Sequence, residues 1–117
     1  MSRAAIHGGT TTVLDFATQV PGHDLLHAIE EAAQRWQDNA YTDYSYHPIF
    51  AKGTGTDAIG QVPELIERGF PSFKIFTTTI RPPSPTMENR HTDFGRLATI
   101  MEQIASKGGM LMVHSED

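Results

Sequence analysis

The chain contains no cysteine among its 117 residues. Disulfide bonds and thiolate metal ligands are therefore excluded, and any bound metal must take its ligands from histidine, aspartate, glutamate or a modified lysine. No apolar run approaches the length of a membrane span, and the first residues lack the apolar core of a signal peptide. We therefore expect a cytoplasmic protein that makes no contact with a membrane.

Positive charge is also scarce. Nine lysine and arginine residues stand against fourteen aspartate and glutamate residues, which gives a formal net charge of −5. No basic stripe is available to follow a phosphate backbone, so we expect no nucleic-acid partner. A length of 117 residues suits one compact domain and is too short for two, so residues 1–117 are predicted to form a single domain.

Short apolar strands alternate with amphipathic helices along the chain. The predicted strands are residues 10–16, 41–50, 72–76 and 109–114. The predicted helical segments are residues 3–7, 25–36, 63–68 and a last helix that Thr92 caps. The last helix is expected to bury Phe94, Leu97, Ile100, Met101 and Ile104, while Met101, Met110 and Met112 are interpreted as core fillers.

The spacing of the strands indicates a parallel α/β fold. Strand starts recur near residues 10, 41, 72 and 109, close to the roughly 31 residues per unit of an eight-unit β/α barrel. Four strands cannot close a barrel. The chain is therefore predicted to form an open parallel sheet covered by helices, or a part of a larger (β/α)8 barrel.

Functional groups of a parallel α/β sheet collect at the carboxyl ends of its strands. The predicted strands bring the following candidates to that edge: Asp15, Thr18, His47, Lys74, residues 77–79 and residues 114–117. A helical spacing of four residues also makes His23 and His27 capable of binding a metal, but the apolar stripe of their helix favours solvated side chains.

Lys74 is the most informative of these residues, because it interrupts the apolar run SFKIF. Strand alternation places Ser72, Lys74 and Phe76 on one face of the sheet. Lys74 either extends to solvent or pairs with a carboxylate. Alternatively, carbon dioxide adds to its neutral amine and gives a carbamate that can bridge two divalent ions about 3.5–4 Å apart.

Two histidines follow strands in the same way. His114 ends the apolar run MLMV and is either a structural hydrogen-bonding residue or an imidazole ligand for a transition metal. His47 could serve as a third ligand, although the aromatic string DYSYH that it ends is interpreted as a source of packing and hydrogen bonds.

Four segments together resemble the dihydropyrimidinase/hydantoinase group of the amidohydrolase superfamily. They are residues 8–16 (GGTTTVLDF), 43–47 (DYSYH), 72–76 (SFKIF) and 113–117 (VHSED). The resemblance covers essentially the whole chain, and SFKIF and HSED are its most specific parts. It implies strands two to five of a (β/α)8 barrel with a binuclear, usually zinc, metal centre. It also implies hydrolysis of the amide C–N bond of cyclic diamides by a metal-bridging hydroxide.

The resemblance assigns the metal site residue by residue. Lys74 matches the carboxylated bridging lysine and His114 matches a ligand of the second metal, which makes two of six expected groups. The His-x-His of the first strand is absent from the sequence, and the catalytic aspartate is expected beyond Asp117. Thr79 stands where many hydantoinases carry a substrate-contacting tyrosine, so an allantoinase-like relative stays open.

Three expectations follow for the 117-residue chain by itself. It should be catalytically inactive, Lys74 should be an unmodified amine, and the exposed half-barrel should self-associate. Two alternatives come from other classes: a small open α/β module that binds an anion through Lys74 and His114, and a purely structural or oligomerising domain.

Overall fold

A computed structural model describes residues 2–20, 22–51, 56–77 and 94–115. Helices and strands alternate through most of this part of the chain. The elements are α1 Ser2–His7, β1 Thr12–Thr18, α2 Leu25–Trp36, β2 Asp43–Ile49, α3 Thr56–Gly60, α4 Val62–Glu67, β3 Ser72–Phe76, α5 Phe94–Ser106 and β4 Met110–His114.

The strands form one parallel sheet in the order β1-β2-β3-β4. This confirms the predicted α/β class and the predicted parallel strands. The strand β3 has the predicted bounds, whereas β1 and β2 begin two residues later than expected. The predicted helical segment 63–68 differs more, because two short helices, α3 and α4, occupy residues 56–67.

The helix α2 shows why these segments fold as they do. The carboxylate of Asp24 caps its start by accepting a hydrogen bond of 2.6 Å from the backbone N–H of His27. Apolar residues then recur at helical spacing and are buried against the sheet: Leu25, Ala28, Ile29, Ala32 and Trp36. The cap and the apolar face therefore fix both the start and the orientation of α2.

The two faces of the sheet have different surroundings. Alternation in β3 buries Phe73 and Ile75 and leaves Lys74 half-buried on the opposite side. The face of Phe73 belongs to the hydrophobic core, to which α2, α4 and α5 also contribute. We call the opposite side the lysine face. The strand register places on it Thr12, Leu14, Phe16, Thr18, Asp43, Ser45, His47, Ile49, Ser72, Lys74, Phe76, Met110, Met112 and His114.

The lysine face exposes apolar side chains. Leu14 is 54% exposed, Phe16 is 43% exposed and Met110 is 63% exposed. The interpretation of Met110 as a core filler is therefore wrong, because strand alternation turns its side chain away from the core. An apolar surface of this kind is typical of a face that packs against further structure.

Two residues of α5 also depart from the predicted core. Phe94 is 77% exposed and Met101 is 49% exposed, although both were expected on the apolar face. The helix instead packs through Leu97, Ile100 and Ile104, which share one narrow stripe. Phe94 begins the helix and lies outside the packed stripe, so its apolar character alone was misleading.

Tyr46 is a polar group inside the core. Its side chain is 4% exposed and packs against Tyr44 and Phe70, and its hydroxyl has no hydrogen-bond partner among the described residues. Burial raises the pKa of Tyr46; the charges of Tyr44 and Asp15 add to this, and Arg35 opposes it.

None of the described helices is long and apolar enough to cross a membrane.

Candidate functional site at the carboxyl edge

Lys74 lies on the lysine face near the carboxyl end of β3. It is half-buried, and its Nζ atom lies over the ring of Phe76, 4.9 Å from the ring centroid. A contact of this type stabilises a cation by about 0.5–2 kcal/mol. The strand is therefore not buried on both sides, and the ammonium lies over an aromatic face that leaves it partly accessible.

His114 lies beside the same aromatic ring. It is in register with Phe76 on the neighbouring strand, and the two ring centroids are 5.3 Å apart. Its carbonyl accepts hydrogen bonds from the backbone N–H and the Oγ1 hydroxyl of Thr77, at 2.9 and 3.1 Å. The fold thus places Lys74 and His114 on one face of adjacent strands, and both contact Phe76.

His47 occupies the next position on the lysine face. Its Nδ1 atom is 2.6 Å from the hydroxyl of Ser72, and its ring lies 5.6 Å from that of Phe16. The predicted role of His47 in packing and hydrogen bonding agrees with these contacts. The strand pattern predicts the sheet face of Ser72, but nothing in the sequence indicates that Ser72 meets His47 on the neighbouring strand.

Asp15 does not join this group. Its side chain lies on the opposite face, where one carboxylate oxygen accepts a hydrogen bond of 2.8 Å from the indole N–H of Trp36. The other oxygen accepts from the backbone N–H of Phe16. The expectation that Asp15 supplies a functional group at the carboxyl edge is therefore wrong, because it connects β1 to α2.

Gln19 is a residue that the sequence argument missed. Its side chain is 4% exposed and follows directly after β1. Its amide N–H donates to the carbonyl of His23 at 2.7 Å, and its amide oxygen accepts from the backbone N–H of Ala51 at 3.1 Å. Gln19 thus joins the ends of β1 and β2 to the segment that precedes α2, a role that no sequence motif announces.

His23 and His27 form a pair on the outer surface. Their rings stack with centroids 4.5 Å apart, and Nε2 of His27 is 3.6 Å from a carboxylate oxygen of Glu31. The side chains of His27 and Glu31 are 41% and 46% exposed, which agrees with the predicted solvated surface.

Lys74 and His114 lie together on the lysine face, on either side of Phe76. Within the described ranges, no group of three or more histidine, aspartate or glutamate side chains is arranged to hold a metal. The substrate-loop candidate Thr79 lies outside the described residues, as do Glu116 and Asp117. An imidazole such as that of His114 is a common ligand of divalent transition metals.

Comparison with known proteins gives a consistent relationship. The chain is 32% identical over 116 residues to a D-hydantoinase of Streptomyces coelicolor, and 31% identical over 115 residues to that of Geobacillus stearothermophilus. These alignments cover 99% and 97% of this chain but 23% of each relative. No protein-family model matches the chain.

Solved structures give the same result. A D-hydantoinase structure superimposes with a TM-score of 0.83 at 30% identity, covering 98% of this chain and 23% of that protein. The structure of a dihydropyrimidinase from Brevibacillus agri superimposes with a TM-score of 0.82, covering 99% of this chain and 24% of that protein. Its sequence identity is 22%, so it supports the fold alone.

The parallel sheet with its alternating helices is therefore part of a TIM-barrel amidohydrolase fold, which confirms the predicted partial barrel. Within that class the chain is similar to D-hydantoinases. It spans about a quarter of the length of the curated relatives that it matches.

Proposed function

We propose that this chain supplies part of the active site of a metal-dependent hydrolase that cleaves C–N bonds of cyclic amides of the dihydropyrimidine or hydantoin type. The supporting observation is the placement of Lys74 and His114 around Phe76 on adjacent strands of a hydantoinase-like fold. The relatives' names supply the reaction class, since they are D-hydantoinases.

Lys74 and His114 would be the metal ligands in this proposal, and zinc is the proposed metal. The neutral Lys74 amine would attack the carbon of carbon dioxide and lose one proton, which leaves a carbamate with two donor oxygens. His114 would contribute an imidazole nitrogen. When bound, a divalent pair supplies Lewis acidity toward the ring carbonyl and activates water for hydrolysis.

Phe76 has a supporting part in this arrangement. Its ring contacts both Lys74 and His114, so it limits the directions that either side chain can take. The hydrogen bonds from Thr77 to the carbonyl of His114 hold the ends of β3 and β4 at a fixed spacing. These contacts favour a lysine and a histidine that are positioned before any metal binds.

A chimera tests the proposed function. The matching segment of the Streptomyces coelicolor D-hydantoinase is replaced by this chain, and metal-dependent hydantoin hydrolysis is measured. We expect Lys74→Arg and His114→Ala to reduce the rate by about 100-fold or more, because both remove a metal ligand. The control Lys107→Arg changes an exposed lysine at the end of α5 and should leave the rate unchanged.

The chimera also separates the proposed role from the behaviour of the free chain. The 117-residue chain alone should show no hydrolysis and an unmodified Lys74, because two ligands cannot retain a metal pair. A folded chimera that keeps full activity after Lys74→Arg would contradict the proposal.

The cytoplasmic location and the single domain over residues 1–117 stay predictions.

We also propose that the free chain self-associates through the lysine face. The exposed side chains of Leu14, Phe16 and Met110 supply the apolar surface, and β1 and β4 are the outer strands of the sheet. Two four-stranded sheets together provide the eight strands of a barrel. Light scattering of the unsubstituted chain should give twice the monomer mass, and the Phe16→Asp variant should be a monomer. A monomer mass for the unsubstituted chain would contradict the proposal.

A further inference from the structure

The boundary between β2 and β3 is the least connected part of the sheet. β1 and β2 are paired along their whole length, as are β3 and β4. Within the described residues, only Ile49 and Lys74 are in register across the β2–β3 boundary. The backbone N–H of Phe50 also donates to the carbonyl of Lys74 at 2.9 Å. The proposed ligand therefore lies on a strand that has few backbone connections on one side.

A side-chain hydrogen bond crosses this boundary just below Lys74. His47 and Ser72 each precede the paired residues by two positions, so they share the lysine face with Lys74. The distance between Nδ1 of His47 and Oγ of Ser72 is 2.6 Å, and both residues are half-buried. Either residue can donate, because a hydroxyl both donates and accepts and Nδ1 of a neutral imidazole donates in one tautomer and accepts in the other.

The ring of His47 is also restrained from β1. Phe16 lies in register with His47, and the centroids of the two rings are 5.6 Å apart. The contacts Phe16–His47 and His47–Ser72 thus link three strands on one face. Ser72 is two residues before Lys74 in a five-residue strand, so a displacement of Ser72 is transmitted to Lys74 through a single extended segment.

We propose that the His47–Ser72 hydrogen bond positions Lys74. It supplements the short backbone ladder between β2 and β3 and keeps the lysine at a fixed height and direction on the lysine face. His47 and Ser72 are positioning residues, since they act on Lys74 through the strand. The consequence for a metal ligand rests on the proposed function, but the positioning itself is measurable without metal or substrate.

Native-state hydrogen exchange measured by NMR tests the link in the 117-residue chain. We expect Ser72→Ala to accelerate exchange of the Phe50 N–H by about 3- to 10-fold, which corresponds to the net loss of one hydrogen bond. The Asp43 N–H bonds to Thr11 and the Met110 N–H bonds to Pro71, so they report the two neighbouring strand pairs. Their exchange should change less than twofold.

Matched variants separate positioning from general loss of stability. Ser45→Ala makes the same change at a half-buried serine on the lysine face of β2, where it should not alter exchange at Phe50. Ser72→Thr and His47→Asn each keep a hydrogen-bonding group and should preserve protection. His47→Leu should match Ser72→Ala, and the double variant should add little to either, because both remove the same bond.

The resonances of the Lys74 ε-methylene group give a second readout that concerns the lysine itself. The Phe76 ring beneath Nζ should shift them upfield, and Ser72→Ala should return them toward the position of the exposed Lys107. Unchanged exchange at Phe50, equal acceleration at all three strand pairs, or an unmoved Lys74 resonance would each overturn the proposal. An inactive chimera with the expected exchange pattern would instead count against the proposed function alone.

Discussion

Replacing Phe73 with alanine is expected to lower the free energy of unfolding by about 3–5 kcal/mol. The side chain is fully buried and stacks on Phe50, with ring centroids 5.8 Å apart. The backbone of β3 is paired with β4 along its whole length, which hinders its collapse into the space that the ring leaves. Because domains of this size have a free energy of unfolding of about 5–15 kcal/mol, the substitution would remove a large fraction of the stability.

Phe94→Ala provides the matched control, because it removes the same ring from a position that is 77% exposed. We expect a change within about 0.5 kcal/mol. Urea unfolding followed by circular dichroism measures both variants. Similar midpoints for Phe73→Ala and Phe94→Ala would contradict the described packing of β3.

Gly109→Ala is expected to destabilise the chain by about 1–3 kcal/mol through steric overlap. A Cβ atom at this position would lie 2.8 Å from the carbonyl oxygen of Pro71 and 2.9 Å from side-chain carbons of Ile104 and Ile66. The backbone cannot retreat easily, because the N–H of Met110 donates to the same carbonyl at 2.8 Å. The substitution therefore strains the junction between α5 and β4.

Gly60→Ala is the corresponding control, since a Cβ atom there would meet nothing within 4 Å. Gly60 ends α3, so alanine should leave the stability unchanged or raise it by up to about 1 kcal/mol. Thermal unfolding distinguishes the two glycines. If both substitutions shift the midpoint equally, the close approach at Gly109 is wrong.

The strand β3 shows how much of the fold can be predicted from the sequence. The run SFKIF predicts both its bounds and its two faces, because β-strand alternation depends only on neighbouring residues. The parallel order of the strands was likewise predictable from their spacing, since crossover helices of similar length return each strand to the same direction. Local pattern and connection length thus determined most of the fold.

Contacts between distant residues were harder to predict. The bond between His47 and Ser72 joins residues 25 positions apart, and the bond between Asp15 and Trp36 joins residues 21 positions apart. Sequence periodicity shows which face a residue occupies, but it does not show which partner on another strand lies opposite. For the same reason Gln19 gave no signal, although its amide joins three separate segments.

The alternation of β3 also limits where the chain can change its length. Removing Ser72 would invert the orientation of every following side chain of the strand, so Lys74 would enter the hydrocarbon interior while the ring of Phe73 moved outward. Insertions and deletions should therefore be tolerated only outside the strands. Alternate positions of this five-residue strand thus have different roles: Phe73 and Ile75 pack in the core, and Lys74 lies on the face proposed to bind metal.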